Sequence, residues 1–415
     1  MNIYRGNIVY SKSPNELVEL KRGYVVVKDG IIFGVYAILP HRYANFKVTD
    51  YGEDVIIPAF SDLHVHAPQY PNRGIAMDLL LNDWLHTYTF PLEAKYKDPK
   101  FAKEVYYPFV RDLVKNGTLH ACIYGTIHND ATNVLMQALE RKGICSFVGK
   151  VNMDKDSPDY LIEETNESIE ETEKFIKKNS KNIFAKPLLT PRFAPTCSFD
   201  LLKKLGKLSA KYDIGVQTHI VESKWEAEEA KKCFEGCRCD MQIYKDAGLL
   251  DHAPFIAAHY IYPCQEDLDL LKECNGVAVQ CPDSTLNVIA GIMSTGKLLD
   301  MGIRVGFGSD LSAGSYIGIY TQIASSVRLS KLKNLYEPDN RQITFAEAFY
   351  IATKGGGSLW EKVGSLEQGY FFDALVLHGL QDKFTNLSPK ELVERFCYLG
   401  TSKNIAHIFL RDKEI

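Results

Sequence analysis

Five side chains suited to metal-assisted hydrolysis recur at one kind of place in this chain. The first two are His64 and His66 in Asp62-Leu63-His64-Val65-His66, a segment that follows the apolar run 54–60. On a strand, residues i and i+2 share a face, so both imidazoles can turn inward onto one centre. Neutral imidazole is the commonest protein ligand for zinc. His219 follows the apolar run 214–218, His259 follows 255–258, and Ser309-Asp310 follows 304–308. Imidazoles and one carboxylate suit zinc, with iron as a substitute. Glu222 stands three residues after His219. It reads as a further ligand, as a solvated residue at a helix start, or as a proton carrier, since a carboxyl group in a closed pocket can be tuned for that work.

Something must hold these residues together. Between 58 and 367, strand-like apolar runs (121–126, 146–151, 183–188, 214–218, 255–258, 276–279, 304–308) alternate with helical patterns such as 161–178, 201–212 and 266–274. Such alternation argues for an α/β fold with a parallel sheet. With the run 54–60, eight strands suit a closed (β/α)8 TIM-type barrel, whose sites sit at the C-terminal ends of the strands. An open doubly wound sheet is the alternative, but no Gly-x-Gly-x-x-Gly opens a helix here. The stretch 23–36 is a hairpin signature, two β-branched runs around Asp29-Gly30. It is too short for a core of its own, and strand patterns at 369–378 and 405–411 supply partners. The expected organisation is a small β-sandwich domain built from 1–57 plus 368–415, around a metal-dependent catalytic barrel at 58–367.

Bulk properties narrow the partners. The 415 residues are 46% hydrophobic and 24% charged, ordinary for a soluble globular chain. The net charge of −4 offers no basic surface to nucleic acid or anionic lipid. No apolar run approaches the roughly 18 residues of a membrane helix. The opening Met1-Asn2-Ile3-Tyr4-Arg5-Gly6 has no long apolar core, so no export signal and a cytoplasmic location are expected. The ten cysteines are then expected to be reduced. Cys233, Cys237 and Cys239 lie within seven positions, but no second short-spaced pair lies nearby to complete a zinc site. They read as thiols of a helix end and loop, the helix spanning 224–235 and ending at Gly236.

Several segments together resemble the amidohydrolase superfamily and, within it, the guanine deaminases. They are Asp62-Leu63-His64-Val65-His66-Ala67-Pro68-Gln69-Tyr70, Trp84-Leu85-His86-Thr87-Tyr88-Thr89-Phe90-Pro91, Lys186-Pro187-Leu188-Leu189-Thr190-Pro191-Arg192-Phe193, Thr218-His219-Ile220-Val221-Glu222-Ser223, Ala258-His259, Cys281-Pro282-Asp283-Ser284 and Gly306-Phe307-Gly308-Ser309-Asp310. The resemblance covers nearly the whole chain. It implies one Zn2+ per chain, with Fe2+ as an alternative, held by His64, His66, His219 and Asp310, with His259 a ligand or near neighbour that orients the water. It further implies that Asp310 takes a proton from that water and that Glu222 protonates a ring nitrogen, so that guanine becomes xanthine and ammonia. Gln69, Arg192 and Phe193, beside His219, Glu222 and Asp310, would contact the purine: Arg192 as donor to its carbonyl oxygen, Phe193 as a wall, Gln69 on the ring edge. Adenine, without that oxygen, is expected to be a poor substrate. The resemblance also implies a homodimer.

Departures bear on substrate fit. Thr285 stands where Asn is more usual, Tyr260-Ile261-Tyr262 follows His259 where smaller residues are common, and Ser312-Ala313-Gly314 follows Asp310 with altered composition. Lys186, late in a strand, sits where other branches carry a metal-bridging carboxylated lysine; with Pro187 next, it reads as structural. His128 is open between a supporting and a structural role. The same chemistry on cytosine, an adenosine derivative or a pterin is the nearest alternative, followed by a non-catalytic scaffold on the same fold. The other zinc deaminase pattern, His-x-Glu with Pro-Cys-x-x-Cys, is absent.

Overall fold

The computed structural model describes residues 1–415. Its centre is two four-stranded parallel sheets. One runs Phe60–His66, Thr118–Tyr124, Cys145–Gly149, Ala185–Pro187; the other runs Val216–Ile220, Phe255–His259, Val277–Gln280, Arg304–Phe307. Every residue of Phe60–His66, Thr118–Tyr124 and Val216–Ile220 is buried. Strands covered on both faces have no solvent side, so their polar residues find partners inside, as Asp62 does with Ser309, His120 with Asp373 and Gln217 with the Ile123 carbonyl.

The two sheets touch along both edges. At one seam the Gln217 N–H donates to the Leu189 carbonyl at 2.9 Å. At the other, the Asp310 N–H donates to the His64 carbonyl at 2.8 Å. The last strand packs tightly on the first: a Cβ on Gly306 would lie 2.2 Å from Leu63 Cδ1, and one on Gly308 would lie 2.6 Å from His64 Cβ and 3.0 Å from the His64 carbonyl oxygen. Helices pack outside. Phe199–Tyr212 is representative: Ser198 Oγ accepts the Leu201 N–H at 3.1 Å, and Asp213, in left-handed conformation at φ 51°, ends it. Its buried Leu201, Leu205 and Leu208 lie on one face at helical spacing.

Both ends of the chain join in a second sheet. Its seven strands run in the order Lys413–Glu414, Ile405–Leu410, Ala374–Leu377, Val48–Pro58, Asn2–Ser13, Glu16–Lys28, Ile31–Tyr36. The Asp29-Gly30 turn has φ of 52° and 78°, the pair of positive values a tight hairpin needs. Hydrogen bonds join all seven strands into one sheet, with Val48–Pro58 paired along both of its edges, and the sheet folds back so that Ile31 bridges Phe371 and the Phe372 N–H donates to the Gly30 carbonyl at 2.8 Å. Three apolar clusters meet it: one includes Ile8, Val25, Ile56, Phe372 and Phe409, a second joins Val9, Val55, Ile57 and Leu375 to the main core, and a small third holds Ile3, Val26 and Tyr43.

One boundary differs from the sequence reading. The run 54–60 does not lead into the histidines as one strand. Its first part belongs to Val48–Pro58 in the terminal sheet, and a new strand, Phe60–His66, starts after Pro58. His64 and His66 therefore lie within a strand, not beyond one. The helix expected at 161–178 spans Thr165–Asn179, its first turn capped by the Glu164 carboxylate.

A buried contact links the two sheet systems. His120, on the second central strand, lies 3.0 Å from Asp373 Oδ2, and Asp373 Oδ1 accepts the Arg411 N–H at 2.7 Å. Both side chains are fully buried. Asp373→Ala leaves the His120 ring and the Arg411 amide without their partner, an expected loss of about 1–3 kcal/mol in stability that denaturant unfolding would read.

Candidate active site

The C-terminal ends of the central strands meet around one cleft. His64 and His66 come from the first strand, His219 from Val216–Ile220, His259 from the last position of Phe255–His259, and Asp310 from the turn after Arg304–Phe307. Asp310 Oδ1 lies 3.4 Å from His64 Nε2 and 3.8 Å from His66 Nε2, and Oδ2 lies 3.9 Å from His259 Nε2. His66 Nε2 and His219 Nε2 are 3.0 Å apart. All five residues expected around a metal are thus brought together. Two of them hold a left-handed backbone rare for non-glycine residues, His259 at φ 69° and Asp310 at φ 43°. Such conformations cost about 1–3 kcal/mol each and persist where the surroundings impose them.

The donor set fits a cation. His64 Nδ1 and Nε2 are both buried without a hydrogen-bond partner, an expensive state for an imidazole in a protein interior. His219 Nδ1 lies 2.6 Å from the Arg192 carbonyl, which can only accept, so that nitrogen carries the proton and Nε2 presents a lone pair. Burial, then the neighbouring His64, pushes His66 and His219 well below the ordinary imidazole value. Burial outweighs the nearby Asp310 and brings His259 down to about 3. These three rings are neutral near pH 7, the state that binds zinc. Burial opposes ionisation of Asp310, but His64 and the other imidazoles outweigh it and hold that carboxyl below its usual range.

Glu222 lies at the edge of this cluster, its Oε1 3.6 Å from His259 Nε2. Burial, reinforced by Glu226 and Asp310, raises its carboxyl well above the ordinary value. A carboxyl group whose proton is held more tightly than usual, beside a cation-binding cluster, is suited to proton delivery. Gln69 sits on the short turn Ala67–Asn72 directly after His66, and Arg192-Phe193 follows Thr190–Pro191. Gln69, Arg192, Phe193 and Glu222 line the same cleft, with Leu81, Trp84 and Trp225 as apolar lining.

Sequence reading missed four supporting residues. Glu93 forms a buried ion pair with Arg192 at 2.7 Å. Glu226 accepts the Glu222 N–H at 2.8 Å, while Ser223 Oγ accepts the Glu226 N–H at 3.1 Å. Asp62 accepts the Ser309 N–H at 3.0 Å, the Ser309 hydroxyl at 2.5 Å and the His64 N–H at 3.2 Å, and so anchors the turn that carries Asp310. Cys281 lies against His64 and His259, and burial pushes its thiol well up, so it stays protonated.

Other candidates lie elsewhere. Lys186 is exposed, and its ammonium donates to the Asn182 carbonyl, away from the cluster. His128 stands at the N-terminus of Asn129–Lys142 and does not line the cleft. All ten cysteines are free thiols. Cys239 meets Cys264 and Asp267 rather than Cys233 or Cys237, and Asp267 already accepts the Cys264 and Met241 N–H groups at 2.9 Å each.

Comparison with known proteins agrees with this geometry. The Amidohydrolase family profile matches residues 55–415. A guanine deaminase from Dictyostelium discoideum is 35% identical over 89% of this chain and 84% of its own length. One from Rattus norvegicus is 31% identical over 100% of this chain and 96% of its own. The crystal structure of guanine deaminase from C. acetobutylicum with guanine bound in the active site superposes with a TM-score of 0.96 at 40% identity, covering 100% of this chain and 99% of the other. The chain belongs to the amidohydrolase family.

Proposed function

We infer that this chain is a guanine aminohydrolase, converting guanine and water to xanthine and ammonia. One observation carries the reading: a cluster of imidazoles and a carboxylate, the buried Glu222 carboxyl with its raised pKa, and an arginine–glutamine–phenylalanine wall all face one cleft. Full-length likeness to guanine deaminases supports the same substrate.

In this reading His64, His66, His219 and Asp310 hold a single Zn2+, with Fe2+ the alternative, and His259 is a further ligand or orients the water. When bound, the metal would acidify a coordinated water enough to supply hydroxide near neutral pH. Asp310, among the imidazoles and on the cleft wall, would take a proton from the attacking water. Arg192 donates to the purine carbonyl oxygen, Phe193 packs on the ring face and Gln69 fixes the ring edge. Oxygen adds at C2 as Glu222 gives its proton to the adjacent ring nitrogen, so the purine does not accumulate negative charge. A proton returned through Glu222 then lets the C2 amine leave as ammonia. Leu81, Trp84 and Trp225 add apolar lining that limits water in the cleft.

The eight central strands are proposed to close as a (β/α)8 barrel, supported by contacts at both seams. We also propose a catalytic domain at 58–367, a smaller domain at 1–57 plus 368–415, a homodimer and a cytoplasmic location. No helix is long and apolar enough to cross a membrane.

The test is absorbance and ammonia release with guanine, adenine, cytosine and 8-oxoguanine, with metal content measured on the same sample. Guanine is expected to turn over fastest and adenine to lag by about 10²-fold or more, because a site built for a carbonyl is left with unpaired donors by adenine. Turnover of another base with guanine inert would sink the assignment.

A further inference from the structure

The Arg192–Gln69 wall has a third member. Glu93 lies at the end of Phe90–Glu93, and its side chain is 4% exposed. Its Oε2 accepts from Arg192 Nη1 at 2.7 Å and its Oε1 from Nη2 at 3.3 Å. The same Oε1 accepts from Gln69 Nε2 at 3.0 Å. Glu93 therefore grips both polar residues that face the purine side of the cleft, from positions far apart in the chain.

The chemistry of these bonds fixes polarity. A carboxylate paired with a guanidinium only accepts hydrogen bonds. The Gln69 amide must then turn its NH2 toward Glu93, which leaves the carbonyl Oε1 as the end available to the cleft. Arg192 spends two of its N–H groups on Glu93 and has only donors left to offer. We propose that Glu93 is a specificity-determining positioning residue: it makes the cleft present a donor from Arg192 beside an acceptor from Gln69. That pair matches a ring edge with C=O next to N–H, the 6-oxo edge of guanine. It opposes an edge with an amino group next to a bare ring nitrogen, as in adenine.

An amide at position 93 could not impose this order. Its own NH2 and C=O ends satisfy Gln69 in either orientation, and Arg192 loses its charged partner. Binding, not turnover, isolates the effect. This inference rests on the guanine reading above, so guanine turnover is measured separately and its absence would count against that reading alone.

The probes are hypoxanthine and adenine, which lack the C2 amine and carry opposite edges. Titration calorimetry on the metal-loaded wild-type protein is expected to give hypoxanthine at least about 10²-fold tighter binding than adenine. In Glu93→Gln, with wild-type metal content, that ratio is expected to shrink by about 10-fold or more, since one buried hydrogen-bonding mismatch changes binding by this order. Glu93→Asp, still acceptor-only, is expected to keep most of the preference. A ratio unchanged in Glu93→Gln, with both bases weakened alike, would show mere structural support and overturn the proposal. So would a wild-type protein that binds the two bases equally, or a Glu93→Asp variant as indiscriminate as Glu93→Gln.

Discussion

Glu222→Gln is expected to keep a full complement of metal and lose about 10²–10⁴-fold in kcat on guanine, the range for removing a positioned proton carrier. The amide preserves shape and the contact near His259 Nε2, 3.6 Å away in the wild type, but it has no proton to give. The loss should fall on kcat more than KM, because the proton moves only as the ring nitrogen gains charge. Metal analysis and steady-state kinetics on the same preparation separate this from damage to the cluster. Wild-type kcat in the variant would remove Glu222 from the proton path.

His64→Ala is expected to lose both metal and activity. His64 is completely buried, touches Asp310 at 3.4 Å, and carries two ring nitrogens with no other partner. Removing it leaves three imidazoles and a carboxylate around a cavity, with the geometry of the donor set broken. The Lewis-acid contribution amounts to several kcal/mol, so activity should fall by at least about 10³-fold and stay low at saturating guanine. Metal content measured after dialysis without added zinc checks the first half. A variant that retains stoichiometric metal would show that the remaining donors suffice and that His64 has another role.

The five clustered residues were legible because their types are rare at strand ends and their positions follow apolar runs. The resemblance then narrowed the substrate through Gln69 and Arg192-Phe193. Glu93 was not legible. It lies two residues past the quoted Trp84 to Pro91 segment, and an isolated glutamate in a helical stretch normally faces water. Only the fold shows that Arg192, 99 positions later, arrives opposite it. Glu226 could have been found, since Ser223-x-x-Glu226 at a helix start is a capping pattern. The hairpin joining Asn2–Ser13 to Glu16–Lys28 also left a sign, the Pro14-Asn15 turn. The split of run 54–60 into two strands had only Pro58 to announce it, and proline at a strand boundary is common enough to pass unread.

The interleaved sheet has a consequence for how the protein is made. Val48–Pro58 leaves the ribosome early, yet its partner Ala374–Leu377 emerges roughly 300 residues later, a delay of about 15–60 s at ordinary synthesis rates. Throughout that interval one side of an apolar strand lacks its neighbour, an open template for pairing with other nascent chains. Translation that stalls or terminates before residue 374 should therefore yield aggregation-prone fragments rather than a partly active enzyme, which makes completion of the last few dozen residues a checkpoint on the whole catalytic unit.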